Sequence, residues 1–155
     1  MKRFCLPFVL VVMLLVTLSG CSGYDILQYK VPSTEERISV RIDKGNGLEI
    51  AANEDGTFAI SQAGTLLATG VLMPPEKMQK MRTNAETMKT CEILEQGRQD
   101  NMDYMLLKVI TNEEYEWVYL ASIDGLEAGL AMSNSISEDA LRACFAALSV
   151  RETQE

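Results

Sequence analysis

Four cysteines, twenty-two carboxylates and no histidine set the chemistry open to this chain of 155 residues. Without imidazole, the commonest general base near neutral pH and the commonest metal ligand are both missing, so Ser-His-Asp and Cys-His machinery is excluded. Beyond Cys21 the thiols are Cys91 and Cys144, too few for a structural four-sulfur zinc site. Their separation is not that of a Cys-x-x-Cys redox pair. Glu113, Glu114 and Glu116, with Asp100 and Asp103, offer carboxylates for acid and base work, but they fall in polar loops or on an alternating strand, as a solvated face does. Asp43 to Gly47 and Asn53 to Gly56 supply oxygen ligands for calcium, yet glycines stand at the third and fifth positions from Asp43, where an EF-hand loop needs oxygen-bearing side chains. Both stretches suit hairpin turns instead. Gly45 and Gly47 are followed by no helix signal, so they do not make a phosphate loop. No catalytic residue, metal or cofactor is assigned, and the chain is not expected to be an enzyme.

Cys21 is set apart by its position. Lys2 and Arg3 open the chain, an apolar run extends from Phe4 to Leu18, and the small residues Ser19 and Gly20 precede Cys21. This is the order of a secretory signal with its cleavage site. The run is shorter than the roughly 20 apolar residues that span a bilayer, and Gly20 to Gly23 end it, so cleavage is expected rather than a permanent span. Leu18-Ser19-Gly20-Cys21 resembles the lipobox of bacterial lipoproteins, a resemblance confined to the signal. It implies a thioether-linked diacylglycerol on Cys21 and cleavage between Gly20 and Cys21. Two acyl chains anchor stably where one does so only marginally. The expected location is therefore membrane-anchored and extracytoplasmic, on the outer face of a single membrane or, as Ser22 would suggest in a proteobacterium, at the outer membrane. An ordinary secreted protein cut near Gly20 and an uncleaved anchor are the alternatives, and both also place the domain outside the cytoplasm.

Removing Lys2 and Arg3 with the signal leaves twelve basic residues against twenty-two acidic ones, a formal charge of about −10. That field repels phosphates, so nucleic acid is not an expected partner. In an oxidising compartment Cys91 and Cys144 could close a disulfide across a long loop. The other reading is two buried thiols packed as small hydrophobes.

These residues have to be positioned by the elements between them. Residues 1–20 read as signal and residues 21–36 as lipidated cysteine and tether. Tyr24, Ile26, Leu27, Tyr29 and Val31 are apolar enough for part of the tether to fold back. A single domain is expected over residues 37–150, with residues 151–155 as a tail. Ile38, Val40 and Ile42 alternate with polar residues as a strand does. Short strands at Leu48 to Ile50, Phe58 to Ile60 and Thr65 to Met73 follow between turns. Pro75 and Glu76 suit the start of a helix reaching about Lys89. Its stripe of Met78, Met81, Ala85 and Met88 is expected to be core more than binding surface. Strands at Cys91 to Leu94, Tyr104 to Ile110, Tyr115 to Ile123 and Glu127 to Ser133 form a second meander, with a loop from Gly97 to Asp103. Tyr115, Trp117 and Tyr119 share one face of their strand, either as core under the helices or as a platform for a sugar, peptide or envelope partner. Ser137 caps a last helix, with Ile136 and Leu141 as a hydrophobic staple and Leu141, Cys144, Phe145 and Leu148 as its buried stripe.

Four strands, a helix, four strands and a helix predict an α+β domain in which two helices cover an antiparallel meander sheet. From Ile38 to Val150 this order loosely resembles PsbP/Mog1-like domains, through topology alone, and no functional residue is carried over. The expected function is a non-enzymatic binding or accessory domain facing a protein or envelope component, held to the membrane through lipid on Cys21. The alternatives are a small carboxylate- or serine-dependent envelope hydrolase, which needs a concave pocket with converging acids, and a structural subunit of an envelope assembly.

Overall fold

A computed structural model describes residues 23–30, 37–112, 114–134 and 136–153. The elements run β1 (Tyr24–Lys30), β2 (Arg37–Asp43), a short 3-10 turn, β3 (Leu48–Ala52), β4 (Thr57–Gln62), β5 (Thr65–Met73), α1 (Pro75–Thr87), β6 (Cys91–Gln99), β7 (Met102–Thr111), β8 (Glu114–Ile123), β9 (Gly129–Asn134), α2 (Glu138–Ala146) and β10 (Leu148–Glu152). Two antiparallel sheets result, a small one in the order β1-β2-β10 and a large one in the order β3-β4-β5-β9-β8-β7-β6.

The fold is β-rich, which corrects the expected α+β arrangement of one sheet under two covering helices. Two strands account for much of the difference. Leu148 lies at helical spacing from Leu141, Cys144 and Phe145, so the sequence extends the last helix through it. The chain instead leaves α2 after Ala146, and Leu148 and Val150 pair with Ile42 and Val40 of β2. Arg151 and Glu152, read as tail, belong to this strand. Within the stretch read as tether, Tyr24–Lys30 pairs with β2 from Tyr24↔Asp43 to Lys30↔Arg37. Apolar residues on both of its faces blur the alternation that marks a strand. The predicted Gly97 to Asp103 loop is also mostly ladder, closing in a tight turn at Asp100, whose φ is 51°.

The large sheet is covered differently on its two sides. Against one face pack α2 and the small sheet, closing a core of Ile38, Val40, Ile42, Phe58, Ile60, Leu106, Tyr119, Leu130, Phe145 and Val150. Against the other lies α1, over Met73, Met105, Leu107 and Leu120. Two glycines permit close approach. A Cβ on Gly70 would stand 2.2 Å from the Phe58 ring, and one on Gly129 would stand 2.6 Å from Cβ of Met78. α1 starts at Pro75 as expected but buries only Met78 and Ala85, while Met81 is half-buried and Met88 exposed past its end. Ser137 caps α2 by accepting from the Ala140 amide at 3.1 Å. Ile136 is exposed, so the expected staple to Leu141 does not close.

Candidate binding face

The aromatic strand owes its geometry to the β7–β8 hairpin, which pairs Met102 with Ile123 at its base and Thr111 with Glu114 at its tip. Along β8 the register sets Tyr119 opposite Leu106, Trp117 opposite Lys108 and Tyr115 opposite Ile110. Tyr115, Trp117 and Tyr119 share one face, as the alternation predicts, but α2 covers only part of it.

Tyr119 is core. Its ring stacks on Phe145 of α2 at 3.9 Å and 6°, and Tyr104 meets both rings edge-on at 5.4 and 5.3 Å. Burial pushes its phenol up to about 12. Trp117, one step toward the tip, is half-buried, and Tyr115 beyond it is 48% exposed. The Lys108 ammonium lies 4.0 Å from the centre of the Tyr115 ring, a cation–π contact that fixes the ring, and Ile110 beside it is also exposed. A shallow hollow of about 220 Å³ opens where β5, β8 and β9 end, lined in part by Leu66, Glu116, Asn134 and Ile136. Leu66 and Ile136 on its rim are exposed. Asn134, opposite Trp117 on β9, donates a hydrogen bond from its side-chain Nδ2 to the Leu67 carbonyl at 2.9 Å. Tyr115, Trp117, Ile110 and Lys108 form a surface that could take an apolar or planar group and offer a cation beside it, whereas Glu116 and Ser133 of the hollow, paired with Val109 and Val118, belong to the opposite face of the sheet.

Next to the buried aromatics is a polar cluster that sequence reasoning missed. A bulge between Ile93 and Glu95 changes the register of β6, so Cys91 and Ile93 pair with Val109 and Leu107 while Glu95 pairs with Leu106. This turns Glu95 onto the α2 side. There Tyr104 donates to one carboxylate oxygen and Arg142 to the other, both at 2.5 Å, and Arg142 also donates to Glu138 at 2.8 Å. Those bonds hold the Glu95 carboxyl below the usual glutamate range, and the same bond pushes the Tyr104 phenol up. Tyr104 lies over Gly97, where a Cβ would come within 2.7 Å of its hydroxyl oxygen. The bulge, the α2 arginine and this glycine make Glu95 a strut tying β6 to α2, with no proton to give near neutral pH. Only the bulge could have pointed to it, and Leu94-Glu95 carries no local mark of one.

The carboxylates singled out by sequence are not brought together. Asp103 and Asp124 flank Arg98 in an exposed ion-pair group. Glu114 is exposed at the hairpin tip and Glu116 lines the hollow, while Glu113 lies outside the described residues. Asp43 caps the amide of Gly45 at 2.8 Å, and Asp55 accepts from the amide and hydroxyl of Thr57. Both carboxylates are thus engaged in turns.

Cys91 and Cys144 are free thiols, which removes the bridge as a reading of this fold. Cys144 is fully buried in the core under α2, whereas Cys91 packs in the cluster under α1, on the other side of the large sheet. The same burial pushes the Cys144 thiol up to about 11 and the Cys91 thiol upward as well. Gly20 and Cys21 lie outside the described residues. Among the described residues no helix is long and apolar enough to cross a membrane. No protein-family model, curated protein or solved structure matches the chain.

Proposed function

We propose that this protein is a lipid-anchored, extracytoplasmic binding or accessory protein that acts without catalysis. The observation that carries the reading is the signal-like start ending in Leu18-Ser19-Gly20-Cys21. Cleavage falls between Gly20 and Cys21, and the diacylglyceryl group on Cys21 holds the domain at the membrane. The start of β1 at Tyr24 supports this arrangement, because an ordered domain follows directly on the anchor. The partner is a protein or envelope component that takes the Tyr115 and Trp117 face. The position of that face supports it: near the tip of a hairpin of two ten-residue strands, partly clear of α2, with exposed Tyr115 and Ile110 paired on it.

Intact mass spectrometry of the membrane-extracted protein tests the anchor. The expected mass is that of a chain starting at Cys21 plus a diacylglyceryl group, and a Cys21→Ala variant should lose the modification. An unmodified chain in the soluble fraction would overturn the reading. For the face, Tyr115→Ala with Trp117→Ala should abolish co-purification of a partner captured by the unaltered protein in mild detergent.

A further inference from the structure

The small sheet buries Leu27, Tyr29, Ile38, Val40, Ile42, Leu148 and Val150 inward. Its strand registers therefore fix what it shows outward. Tyr24, Ile26, Gln28 and Lys30 of β1 stand opposite Asp43, Arg41, Ser39 and Arg37 of β2, and Ser149 and Arg151 of β10 continue the rows from Arg41 and Ser39. Ser39 at the centre is buried and shares a 2.8 Å hydrogen bond with Thr153. Around it are exposed Lys30, Arg37 and Arg151 and half-buried Arg41; Asp43 is the one carboxylate in these rows among the described residues, and Asp100 borders them in a hollow shared with Tyr24 and Arg151. A chain of formal charge −8 thus shows a basic face on one sheet. At the edge of that face Tyr24 and Ile26 are 60% and 49% exposed.

We propose that this face lies against the membrane and that anionic lipid headgroups are what it binds. The inference rests on the proposed anchor at Cys21. Tyr24 follows Cys21 by three residues, so the chain between them spans no more than about 11 Å, and the start of β1 stays within reach of the headgroups while the lipid is inserted, with the charge of the sheet deciding which way the rest of it turns. A tyrosine and an isoleucine at that depth suit the interface, where an aromatic ring sits at the headgroup level. Arginine and lysine near an anionic surface each strengthen association by about fivefold at low salt, and the gain fades within a Debye length. The remaining acidic surface is repelled by the same lipids. Orientation follows from both effects: the basic sheet turns toward the bilayer and the Tyr115 hairpin stays available to a partner.

The test uses the full, processed protein reconstituted in vesicles of phosphatidylcholine, with or without phosphatidylglycerol. Ile26→Trp in a Trp117→Phe background leaves one tryptophan, and lipids brominated near the headgroup quench it on contact. Strong quenching is expected with phosphatidylglycerol, and it should fall several-fold in phosphatidylcholine alone, at high salt, and in Arg37→Glu/Arg151→Glu. The Arg37→Lys/Arg151→Lys pair should keep it. Salt and lipid composition are varied on the unreversed reporter, so the outcome does not hang on the charge variant folding. An unquenched reporter in a protein whose mass shows lipid on Cys21 would overturn the inference and leave the anchor standing. A mass without lipid would overturn both.

Discussion

On the side of α2 and the small sheet, the large sheet packs Phe58, Ile60, Leu106, Tyr119 and Leu130 against Phe145, Ile38 and Val40, all nearly or fully buried. On the side of α1 it packs Met73, Met105, Leu107 and Leu120 against Met78 and Ala85. The first side is closed by a second sheet and a helix and is filled mostly with rings and branched side chains of few rotamers, with Met102 and Met132 among them. The second is closed by one helix and filled largely with methionine, whose unbranched chain adapts to irregular space. A core of the first kind transmits any change in shape, while one of the second kind can give. Each helix also carries a polar tie: Arg82 of α1 donates to the Asp103 carbonyl at 2.8 Å, and Arg142 of α2 pairs with Glu95.

Truncation should separate the two sides most clearly. Phe145→Ala removes the partner of both tyrosine rings and should cost about 3–5 kcal/mol in urea unfolding, against about 2–3 kcal/mol for Met78→Ala, where neighbouring methionines collapse into the gap. Equal losses would break the comparison. Added volume tests it from the other direction. Gly70→Ala sets a methyl group into the enclosed Phe58 ring and should cost about 2–3 kcal/mol, with part of the loss restored by Phe58→Leu. Gly129→Ala sets a methyl group 2.6 Å from Cβ of Met78, so α1 itself must move off the sheet; if the methionine layer gives as the comparison holds, the cost should be about 1 kcal/mol, and a cost of about 3 kcal/mol would break it.

The two thiols report the same difference without mutation. Half-buried Cys91 should react with a maleimide faster than Cys144, whose labelling should follow global unfolding. A two-proton mass change on reduction of the native protein would show a bridge and contradict the separation of the two clusters.

The smallest expected effect is at the Glu95 strut. Its side chain and that of Arg142 are 39% and 35% exposed, so solvent screens the pair, and Glu95→Gln should cost no more than about 1 kcal/mol. The folded carboxyl lies below the ordinary glutamate value of 4.5. Its stabilisation is therefore fully present above that value and is lost as pH falls through the lowered folded value. The stability gap between the native protein and Glu95→Gln should close on acidification, and a gap unchanged at low pH would mean that the variant acts through packing.

Much of the ladder was legible in the sequence. Alternation at Ile38 to Ile42 and Tyr115 to Ile123, Pro75 at a helix start and Ser137 as a cap are local signals, and each corresponds to an element of the structure. The Leu148 strand was not legible, because spacing from Leu141 suits a helix and only pairing with β2 overrides it. The aromatic face was legible as a set but not in its grading. Alternation placed Tyr115, Trp117 and Tyr119 together, yet which of them stays exposed depends on where α2 ends its cover.

By itself the sequence determined the absence of imidazole chemistry, the acidic balance, the turns and the signal-like start with its cysteine, since these depend on residue type and short spacing. Tertiary structure decided that Cys91 and Cys144 face opposite sides of one sheet, that a bulge turns Glu95 toward Arg142, and that the basic residues of β1, β2 and β10 share one outer face. Each of these is a relation between residues distant in sequence. Strand register and layer order create such relations, and neither is encoded in any local pattern.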